Sequence, residues 1–408
     1  MMKVEVSDAP SQIVVIFPAG LIDTVPSVMA AIREFRALGH RVAVFCETQE
    51  GYLRPPIFSG QEEYYWRVPR RQISNPLCFL ANRFAWRTWL LAQLRYGPTA
   101  CVVGVDSRGL IIAAWLARWL RAPLVYWSLE IMVPSELRKM EDRLRKYREQ
   151  KAARGVSLLI IQDEEREDLL RESLDLPQAR TFLVPNAPGG SAERRRSKFL
   201  HQRLGISENK RIVLHSGSVA AWACCTQLAD STADWPKDWV LVFHSRKALA
   251  DDPYAALLRM SSPPGRVYLS ETPVPSDSFW EVVRSADVGV ALYCEKADSP
   301  YTQKNLRYIG LSSGKAAHYL REGVPLIYNS AGLFDSVMQR YRCGERVEDP
   351  RHTVAAIFNL FSNYDKCCTA AVQCFNERLR VDGRFASMLS VLTDARAMNR
   401  YAQPNAGE

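Results

Sequence analysis

The residues best suited to chemistry lie at positions 310–323, in the sequence G-L-S-S-G-K-A-A-H-Y-L-R-E-G. The pattern predicts a short helix that Ser312 and Ser313 can cap, with Gly314 letting the backbone approach a ligand. Lys315 adds a cation beside free N–H groups at the positive end of the helix dipole. Such a loop is suited to holding a diphosphate, although the same residues also make an ordinary helix start.

Length and composition bound the class of protein. The chain has 408 residues, 47% of them hydrophobic, which is enough for two separate cores. The first apolar run, residues 13–17, is too short for a signal-peptide core or a membrane span, so we expect a cytoplasmic protein. Ten cysteines occur without a C-x-x-C pair and without partners at metal-ligand spacing. We expect reduced thiols and no metal site.

The net charge of +9 fits an anionic partner. The basic residues are spread along the chain, and the run at residues 194–196 has no aromatic platform or nucleic-acid-reading motif beside it. We therefore expect no nucleic acid. Nucleotide phosphates and an anionic membrane surface would both fit the charge.

Alternating strand and helix patterns predict a first αβ domain. Its strands are expected at residues 13–17, 41–45, 64–68, 100–105, 124–127, 157–162 and 181–184. In an open parallel sheet the ligand crevice lies beyond the carboxyl ends of the strands. The candidate residues at those ends are Gly20, Asp106, Ser128, Glu130 and Asp163.

These candidates have structural readings as well as functional ones. Asp163 precedes two glutamates, as a helix cap would, and we expect it to be a cap. Asp106 and Glu130 each follow an apolar strand, and each can serve a substrate hydroxyl or pair with a neighbouring arginine. The segment 79–95 interleaves aromatic residues with arginines, which fits either a membrane-surface face or a helix packed on the sheet.

A polar, breaker-rich stretch at 185–198 marks a connection between two domains. We predict an N-terminal domain at 1–190, a linker at 191–198 and a C-terminal domain at 199–380. The remaining residues, 381–408, form a helix and tail able to pack back on the first domain. The expected class is α/β, with two Rossmann-like domains that face each other across a cleft.

The second domain repeats the pattern. Its strands are expected at residues 211–215, 240–243, 266–269, 288–292 and 324–328. A turn containing Gly217 and Ser218 follows the first strand, and His244, Arg246 and Lys247 follow the second. Because two such strand ends would face the other domain, a cleft between the domains is the expected site.

These residues resemble the glycosyltransferases of the GT-B fold, and in particular the large retaining family 4. The resemblance covers most of the chain through the order of its elements. Its most specific segments are Y-W-S-L-E at 126–130, I-I-Q-D-E-E-R at 160–166, V-P-N at 184–186, S-A-D-V-G-V-A-L at 285–292 and N-L-R-Y-I-G-L-S-S-G-K at 305–315.

The resemblance implies a sugar donor activated by a nucleoside diphosphate, UDP or GDP, and no separate cofactor. The donor would be bound by the C-terminal domain through Gly217, Ser218, His244, Arg246, Lys247, Ser312, Ser313, Gly314, Lys315 and His318. The acceptor would lie on the N-terminal domain, with Gly20 and Ser128 at the substrate and Asp106 and Glu130 as catalytic groups. The family usually needs no metal and retains the anomeric configuration. Polysaccharide biosynthesis and a peripheral membrane contact are further expectations.

One departure concerns two glutamates that the family commonly places eight residues apart. Gly310 and His318 occupy those places here. Gly310 has no side chain to contact a donor sugar, and His318 can either bond ribose or pack. A sugar-nucleotide epimerase with the same fold and a non-catalytic nucleotide-sugar-binding scaffold are the alternatives.

Overall fold

The computed structural model describes residues 11–18, 22–47, 63–66, 76–94, 97–296 and 299–401. Gly20, a predicted substrate contact, lies outside the described residues. The side chains at 47, 63–66, 76–84 and 394–401 also fall outside the description.

The N-terminal domain is built on a parallel sheet with the strand order β3-β2-β1-β4-β5-β6-β7. The strands are β1 (Gln12–Phe17), β2 (Arg41–Glu47), β3 (Glu63–Trp66), β4 (Thr99–Val105), β5 (Leu124–Trp127), β6 (Leu158–Ile161) and β7 (Thr181–Leu183). The apolar residues of β1 are at most 3% exposed. Burial on both faces explains why this strand is a continuous apolar run without alternation.

Helices connect these strands on both faces of the sheet. They are α1 (Pro26–Ala37), α2 (Pro76–Gln93), α3 (Asp106–Leu120), α4 (Met140–Ala153) and α5 (Glu164–Leu174). The first residue of α3 is Asp106, so this helix begins directly after β4. Trp86 and Leu90 of α2 are buried in the core, which favours the packed-helix reading of segment 79–95 over a membrane face.

The C-terminal domain has a second parallel sheet, with the order β10-β9-β8-β11-β12-β13. Its strands are β8 (Arg211–Ser216), β9 (Trp239–His244), β10 (Val267–Ser270), β11 (Val288–Ala291), β12 (Leu326–Tyr328) and β13 (Gly344–Arg346). The edge strand β13 was not predicted, since three half-exposed residues carry little apolar signal. The expected α/β class with two Rossmann-like domains is confirmed.

The helices of this domain follow the same alternation. They are α6 (Phe199–Leu204), α7 (Cys225–Ser231), α8 (Pro253–Ser261), α9 (Phe279–Arg284), α10 (Lys304–Arg307), α11 (Gly314–Arg321), α12 (Leu333–Tyr341), α13 (Thr353–Ser362), α14 (Tyr364–Cys374) and α15 (Arg384–Tyr401). No helix of the described residues is long and apolar enough to cross a membrane.

The last helix, α15, packs against the N-terminal domain. The Phe385 ring lies 5.8 Å from that of Phe35 and 5.5 Å from that of Trp127. The Glu34 carboxylate accepts hydrogen bonds from the backbone N–H groups of Gly383 and Ala386, at 3.0 and 2.9 Å. The carboxylate therefore caps the start of α15 and holds the end of the chain on α1.

The expectation that all thiols are reduced is wrong for one pair. Cys224 and Cys294 form a disulfide whose Cα atoms are 5.7 Å apart. Seventy residues separate the two positions, so only tertiary structure brings them together. The other cysteines in the described part of the chain are free thiols.

Candidate functional site

Asp106 organises the N-terminal side of the site. It follows β4 directly and has φ of 56°, a left-handed conformation that Asp tolerates better than most residues. Its Oδ1 accepts hydrogen bonds from the N–H groups of Leu129, at 2.8 Å, and Glu130, at 3.0 Å. Asp106 thus fixes the loop that follows the neighbouring strand β5.

The environment of Asp106 disfavours its charged form. Burial, aided by the nearby Glu130 carboxylate and opposed by the two backbone N–H groups, raises the pKa of this carboxyl to about 7. A carboxyl with this pKa exchanges its proton near neutral pH. Its direct contacts make it a positioning group for Glu130.

Glu130 is the accessible carboxylate of the pair, and its side chain is exposed. Its Oε2 accepts a hydrogen bond from the Asn305 amide of the C-terminal domain. Desolvation by the surrounding protein is the largest influence on the pKa of Glu130 and raises it. The Arg166 charge and the Asn305 amide act in the opposite direction. Exposure together with crowding is typical of a group in a narrow cleft, within reach of a ligand.

Arg166 was not predicted as a site residue, yet it joins the two domains beneath Glu130. It is fully buried, and its Nη1 donates to the Tyr308 carbonyl at 2.8 Å. Its Nη2 donates to the Leu129 carbonyl at 2.7 Å and to Asn305 Oδ1 at 3.1 Å. The segment I-I-Q-D-E-E-R contained this residue, but its type alone did not reveal partners 139 or 142 positions away.

Ser128 and Asp163 support the same loop from inside. Ser128 is fully buried, and its carbonyl accepts a hydrogen bond from the Gln162 amide at 2.7 Å. Asp163 caps α5, as predicted, by accepting from the Arg166 N–H at 2.9 Å. Its other oxygen accepts from the Leu311 N–H at 2.8 Å, so this carboxylate also anchors the segment that leads to α11.

Lys315 is the most unusual cation of the C-terminal side. It is 7% exposed, and its Nζ has no hydrogen-bond partner among the described residues. The ammonium lies 4.9 Å from the centre of the Tyr293 ring and 6.0 Å from that of Trp222. Burial lowers its pKa to about 8. An enclosed cation that lacks an anion is the charge that a bound phosphate would neutralise.

The helix start beside Lys315 follows the prediction. Ser313 caps α11 by accepting from the Ala316 N–H at 3.4 Å, and its hydroxyl is 2.6 Å from that of Tyr293. Ser312 donates instead to the Leu129 carbonyl of the N-terminal domain at 3.3 Å. A Cβ on Gly314 would stand 3.2 Å from the Asn186 amide, which shows how closely the two domains meet here.

The turn after β8 lies against the same lysine. Gly217 has φ of 117°, which a side chain would disfavour, and a Cβ there would stand 3.8 Å from Lys315 Cε. Ser218 is exposed. The buried hydroxyl of Tyr319 fixes the turn by accepting from the Ser216 N–H at 2.9 Å. The structure thus brings the two predicted phosphate loops together.

The residues after β9 separate into different environments. Arg246 donates through Nη1 to the Thr24 carbonyl of the N-terminal domain at 2.8 Å. Lys247 pairs with Asp252 at 2.5 Å, and its side chain is 42% exposed. His244 is 1% exposed, and its Nδ1 lies 2.9 Å from the Ser270 hydroxyl. Of these three predicted nucleotide contacts, Arg246 is the one that spans the domains.

His318 lies one turn into α11 and packs edge-on against Phe279, with ring centres 4.9 Å apart. Burial, together with the nearby charge of Arg246, lowers its pKa to about 3. The ring is therefore neutral at physiological pH. In that state it offers one donor and one acceptor, which suits a hydroxyl partner better than a phosphate.

The acidic and basic sides belong to one site. Burial is the main cause that raises the pKa of the Tyr293 hydroxyl, with Glu130 adding to the shift and Arg246 opposing it. Direct contacts also join the two sides, because Tyr293 bonds Ser313 and the adjacent Ser312 bonds the Leu129 carbonyl. Within the described ranges, no group of three or more His, Cys, Asp or Glu side chains is placed to hold a metal ion.

Residues 24–187 match the family model described as a glycosyl transferase 4-like domain. The chain has no match among curated protein sequences.

Solved structures match over nearly the whole chain. Sucrose-phosphate synthase from Thermosynechococcus elongatus has a TM-score of 0.65 at 13% identity, covering 95% of this chain and 100% of that one. Anabaena Alr3699/HepE in complex with UDP and glucose has a TM-score of 0.65 at 14% identity, covering 94% and 100%. WaaG, a glycosyltransferase involved in lipopolysaccharide biosynthesis, has a TM-score of 0.59 at 14% identity, covering 94% and 99%. The predicted GT-B fold is confirmed.

Proposed function

We propose that this chain, a GT-B protein whose N-terminal domain matches the glycosyl transferase 4-like model, transfers a sugar from a nucleoside diphosphate to an acceptor hydroxyl. The observation that carries the proposal is Lys315, a buried ammonium without a hydrogen-bond partner in the described structure, beside the Gly217 turn and the start of α11. A diphosphate between the two loops would satisfy the cation and the free N–H groups together.

The chemistry follows from where charge develops. As the bond between sugar and diphosphate breaks, the leaving group gains negative charge, and Lys315 stabilises it. Arg246 adds a second positive charge to the same region, since it influences the pKa of Lys315. Glu130, exposed on the opposite side, is placed to orient a hydroxyl of the acceptor or the donor sugar.

The finer features are part of the proposal. We infer UDP as the donor nucleotide, because the Anabaena protein was solved with UDP and UDP-glucose. We infer that the reaction needs no metal, since two cations already serve the leaving group. We also infer retention of configuration, with attack from the face that the diphosphate leaves.

Two alternatives share the donor site. A sugar-nucleotide epimerase would change the sugar and keep the diphosphate bond, and a scaffold would bind the nucleotide and change neither. The Asp106–Glu130 pair favours the transferase, because one carboxylate fixes the loop that presents the other to the cleft. A scaffold would not need that arrangement.

The test is a calorimetric titration with UDP, GDP, ADP and TDP in chelator, followed by product analysis with the matching nucleotide sugars. We expect UDP to bind, and UDP to be released from a UDP-sugar. Isomerised sugar with its diphosphate intact would identify an epimerase, and binding without turnover a scaffold. Failure of all four diphosphates to bind would overturn the donor site.

Variants make the same test specific. Lys315→Ala and Arg246→Ala should each weaken UDP binding by about tenfold or more, as expected for a charge-assisted contact. Lys237→Ala is the control, because this exposed lysine precedes β9 and so lies at the amino ends of the strands, opposite the donor site. Wild-type affinity in both site variants would contradict the assignment.

We further propose that α4 provides the peripheral membrane contact. Met140, Leu144 and Tyr147 recur on one helix face and are 75%, 46% and 62% exposed. The exposed basic residues on and around this helix are Arg118, Arg121, Arg138, Lys139, Arg143, Arg148, Lys151 and Arg154. Apolar side chains framed by cations suit an anionic lipid surface.

Co-sedimentation with phosphatidylglycerol and phosphatidylcholine vesicles tests this contact. We expect binding to the anionic vesicles, lost in Met140→Ser/Leu144→Ser/Tyr147→Ser. The matched control is Leu257→Ser/Met260→Ser on α8, where the basic residue between the two exposed apolar residues, Arg259, is paired with Glu271 at 2.6 Å. Equal binding of wild type and the α4 variant would refute the proposal.

A further inference from the structure

A pocket lies away from the candidate donor site, where the interdomain linker contacts the C-terminal domain. Its volume is about 410 Å³, a size that admits a small phosphorylated metabolite. It is lined by the linker, the start of β8, the end of α9 and the junction of α13 and α14. The charged side chains in its lining are Arg194, Arg196, Lys198, Lys210, Arg211, Arg284, Glu208, Asp287 and Asp365.

The positive charge of this linker pocket is only partly neutralised. Arg284 pairs with the buried Glu322 at 2.5 Å, and Arg196 pairs with Asp287 at 3.2 Å. Lys198 and Arg211 form longer pairs, with Glu208 at 3.7 Å and with Asp238 at 4.0 Å. Arg194 and Lys210, in contrast, have no ion-pair partner among the described residues. Arg194 donates hydrogen bonds to neutral oxygens, those of two backbone carbonyls and the Tyr364 hydroxyl.

Aromatic rings hold the guanidinium groups in place. The Arg211 guanidinium lies 4.3 Å from the centre of the Phe361 ring, and that of Arg196 lies 5.6 Å from Tyr364. The two rings stack on each other at 4.5 Å. The Tyr364 hydroxyl accepts from Arg194 at 3.0 Å and donates to the Asp287 carbonyl at 3.0 Å. Cations fixed in this way lose little side-chain entropy when an anion binds.

The linker pocket is separate from the donor site. Arg211 begins β8 and Asp287 precedes β11, so the pocket lies at the amino ends of the strands. The Gly217 turn and Lys315 lie at the carboxyl ends. A strand of six residues spans roughly 20 Å, which separates the two sites by the width of the sheet.

We propose that the linker pocket binds a phosphoryl anion carried by a small soluble molecule. Arg194 and Lys210, which have no ion-pair partner among the described residues, lie beside two arginines held on aromatic rings. Such a set of cations suits phosphate oxygens, which accept several charge-assisted hydrogen bonds at once. Because Arg194, Arg196 and Lys198 belong to the linker, the bound anion would also fasten the linker to the C-terminal domain. The site does not depend on the donor assignment.

The experiment titrates pyrophosphate into the full-length Lys315→Ala protein, in which the donor site contributes little, with chloride at equal ionic strength as the reference. We expect saturable binding and a higher Tm. The double variant Arg196→Ala/Lys210→Ala should bind at least about tenfold more weakly. It spares Arg194, whose contacts with two backbone carbonyls support the fold.

The control combines Arg351→Ala with Lys237→Ala. Arg351 matches Arg196, since each side chain is 63% exposed and each pairs with an aspartate. Binding that stays in the control and is lost in the pocket variant supports the proposal. Equal pyrophosphate affinity in both variants, or no saturable binding, overturns it. Pocket-dependent binding to phosphatidic acid vesicles without binding of pyrophosphate would overturn the soluble ligand and indicate a lipid headgroup.

Discussion

The Asp163 carboxylate occupies the space into which a side chain at Gly310 would point. A Cβ built on Gly310 would overlap the Asp163 carboxyl group, and the Gly310 backbone has φ of 47°. This glycine stands where the resembling family commonly has a sugar-contacting glutamate. Asp163 does not replace that glutamate, because it is 1% exposed and bonded to two backbone N–H groups.

Gly310→Ala should therefore destabilise the protein by about 2 kcal/mol or more, since overlap adds to the strain of a left-handed residue. Urea unfolding measures the loss. Gly205→Ala is the control, because Gly205 has φ of 63° but nothing within 4 Å of an added Cβ. Similar losses in both variants would show that backbone strain alone matters.

A double-mutant cycle isolates the contact between the two residues. Asp163→Gly opens the space and keeps a residue that is tolerated at a helix N-cap. The combined Asp163→Gly/Gly310→Ala variant should lose less stability than the sum of the single losses. Strict additivity would contradict the overlap.

The sequence predicted the parts of the site that depend on local structure. Apolar runs located β4 and β5, and so placed Asp106 and Glu130 at the carboxyl ends of parallel strands. Ser313 was recognised as a cap because helix starts favour such residues. These features depend on neighbours within a few positions.

The remainder of the site depends on distant partners. Arg166 meets Asn305 across 139 positions, and no short-range pattern encodes that distance. The same holds for the disulfide and for the rings of Trp222 and Tyr293 that enclose Lys315. The diphosphate loops were predictable as loops, but the unpartnered state of Lys315 became visible only once its surroundings were known.

Because of Lys315, the free energy of unfolding should change with pH in the alkaline range. Its pKa is about 8 in the folded protein and 10.5 in an ordinary environment, so the unfolded chain holds the proton more tightly. The resulting penalty is full below pH 8 and disappears as pH rises towards 10.5. Lys315→Met should be more stable than wild type at pH 7, by on the order of 2 kcal/mol, with a smaller advantage at pH 10. Chemical denaturation at both pH values measures this, and an advantage that stays constant with pH would contradict the assigned pKa.

The same lysine should couple donor binding to proton uptake. Near pH 8 about half of the folded molecules carry a neutral Lys315, and a bound diphosphate favours the charged form. Titration of UDP in two buffers with different ionisation enthalpies should show uptake of roughly half a proton. Lys315→Arg retains the charge at all accessible pH values and should show none.

Asp106 should make stability depend on pH in the acidic range. Its pKa is about 7 when folded and 3.8 ordinarily, so the folded state binds the proton more tightly. The stabilisation is complete below pH 4 and is lost as pH rises through 7. Asp106→Asn keeps an oxygen for the Leu129 and Glu130 N–H groups and tolerates the left-handed backbone. Relative to this variant, wild type should lose on the order of 2 kcal/mol between pH 4 and pH 8, and parallel unfolding curves would refute the shift.

The Cys224–Cys294 disulfide holds the rings that enclose Lys315. Trp222 lies two residues before Cys224, Tyr293 directly precedes Cys294, and the two rings stack at 6.4 Å. The Cys294 N–H also donates to the Trp222 carbonyl at 2.7 Å. Cys224→Ser/Cys294→Ser should lower stability by about 2 to 4 kcal/mol, since the bond closes a long loop, and should weaken UDP binding by loosening the rings.

Alkylation and mass spectrometry provide the direct measurement. Under denaturing conditions without reductant, two of the ten cysteines should resist iodoacetamide and become reactive after reduction. Cys367→Ser, which removes a free thiol, is the control and should leave UDP affinity unchanged. If the double variant binds UDP as tightly as this control while losing stability, the disulfide supports the fold alone. A loss of UDP affinity confined to the double variant would assign the bond to the donor site.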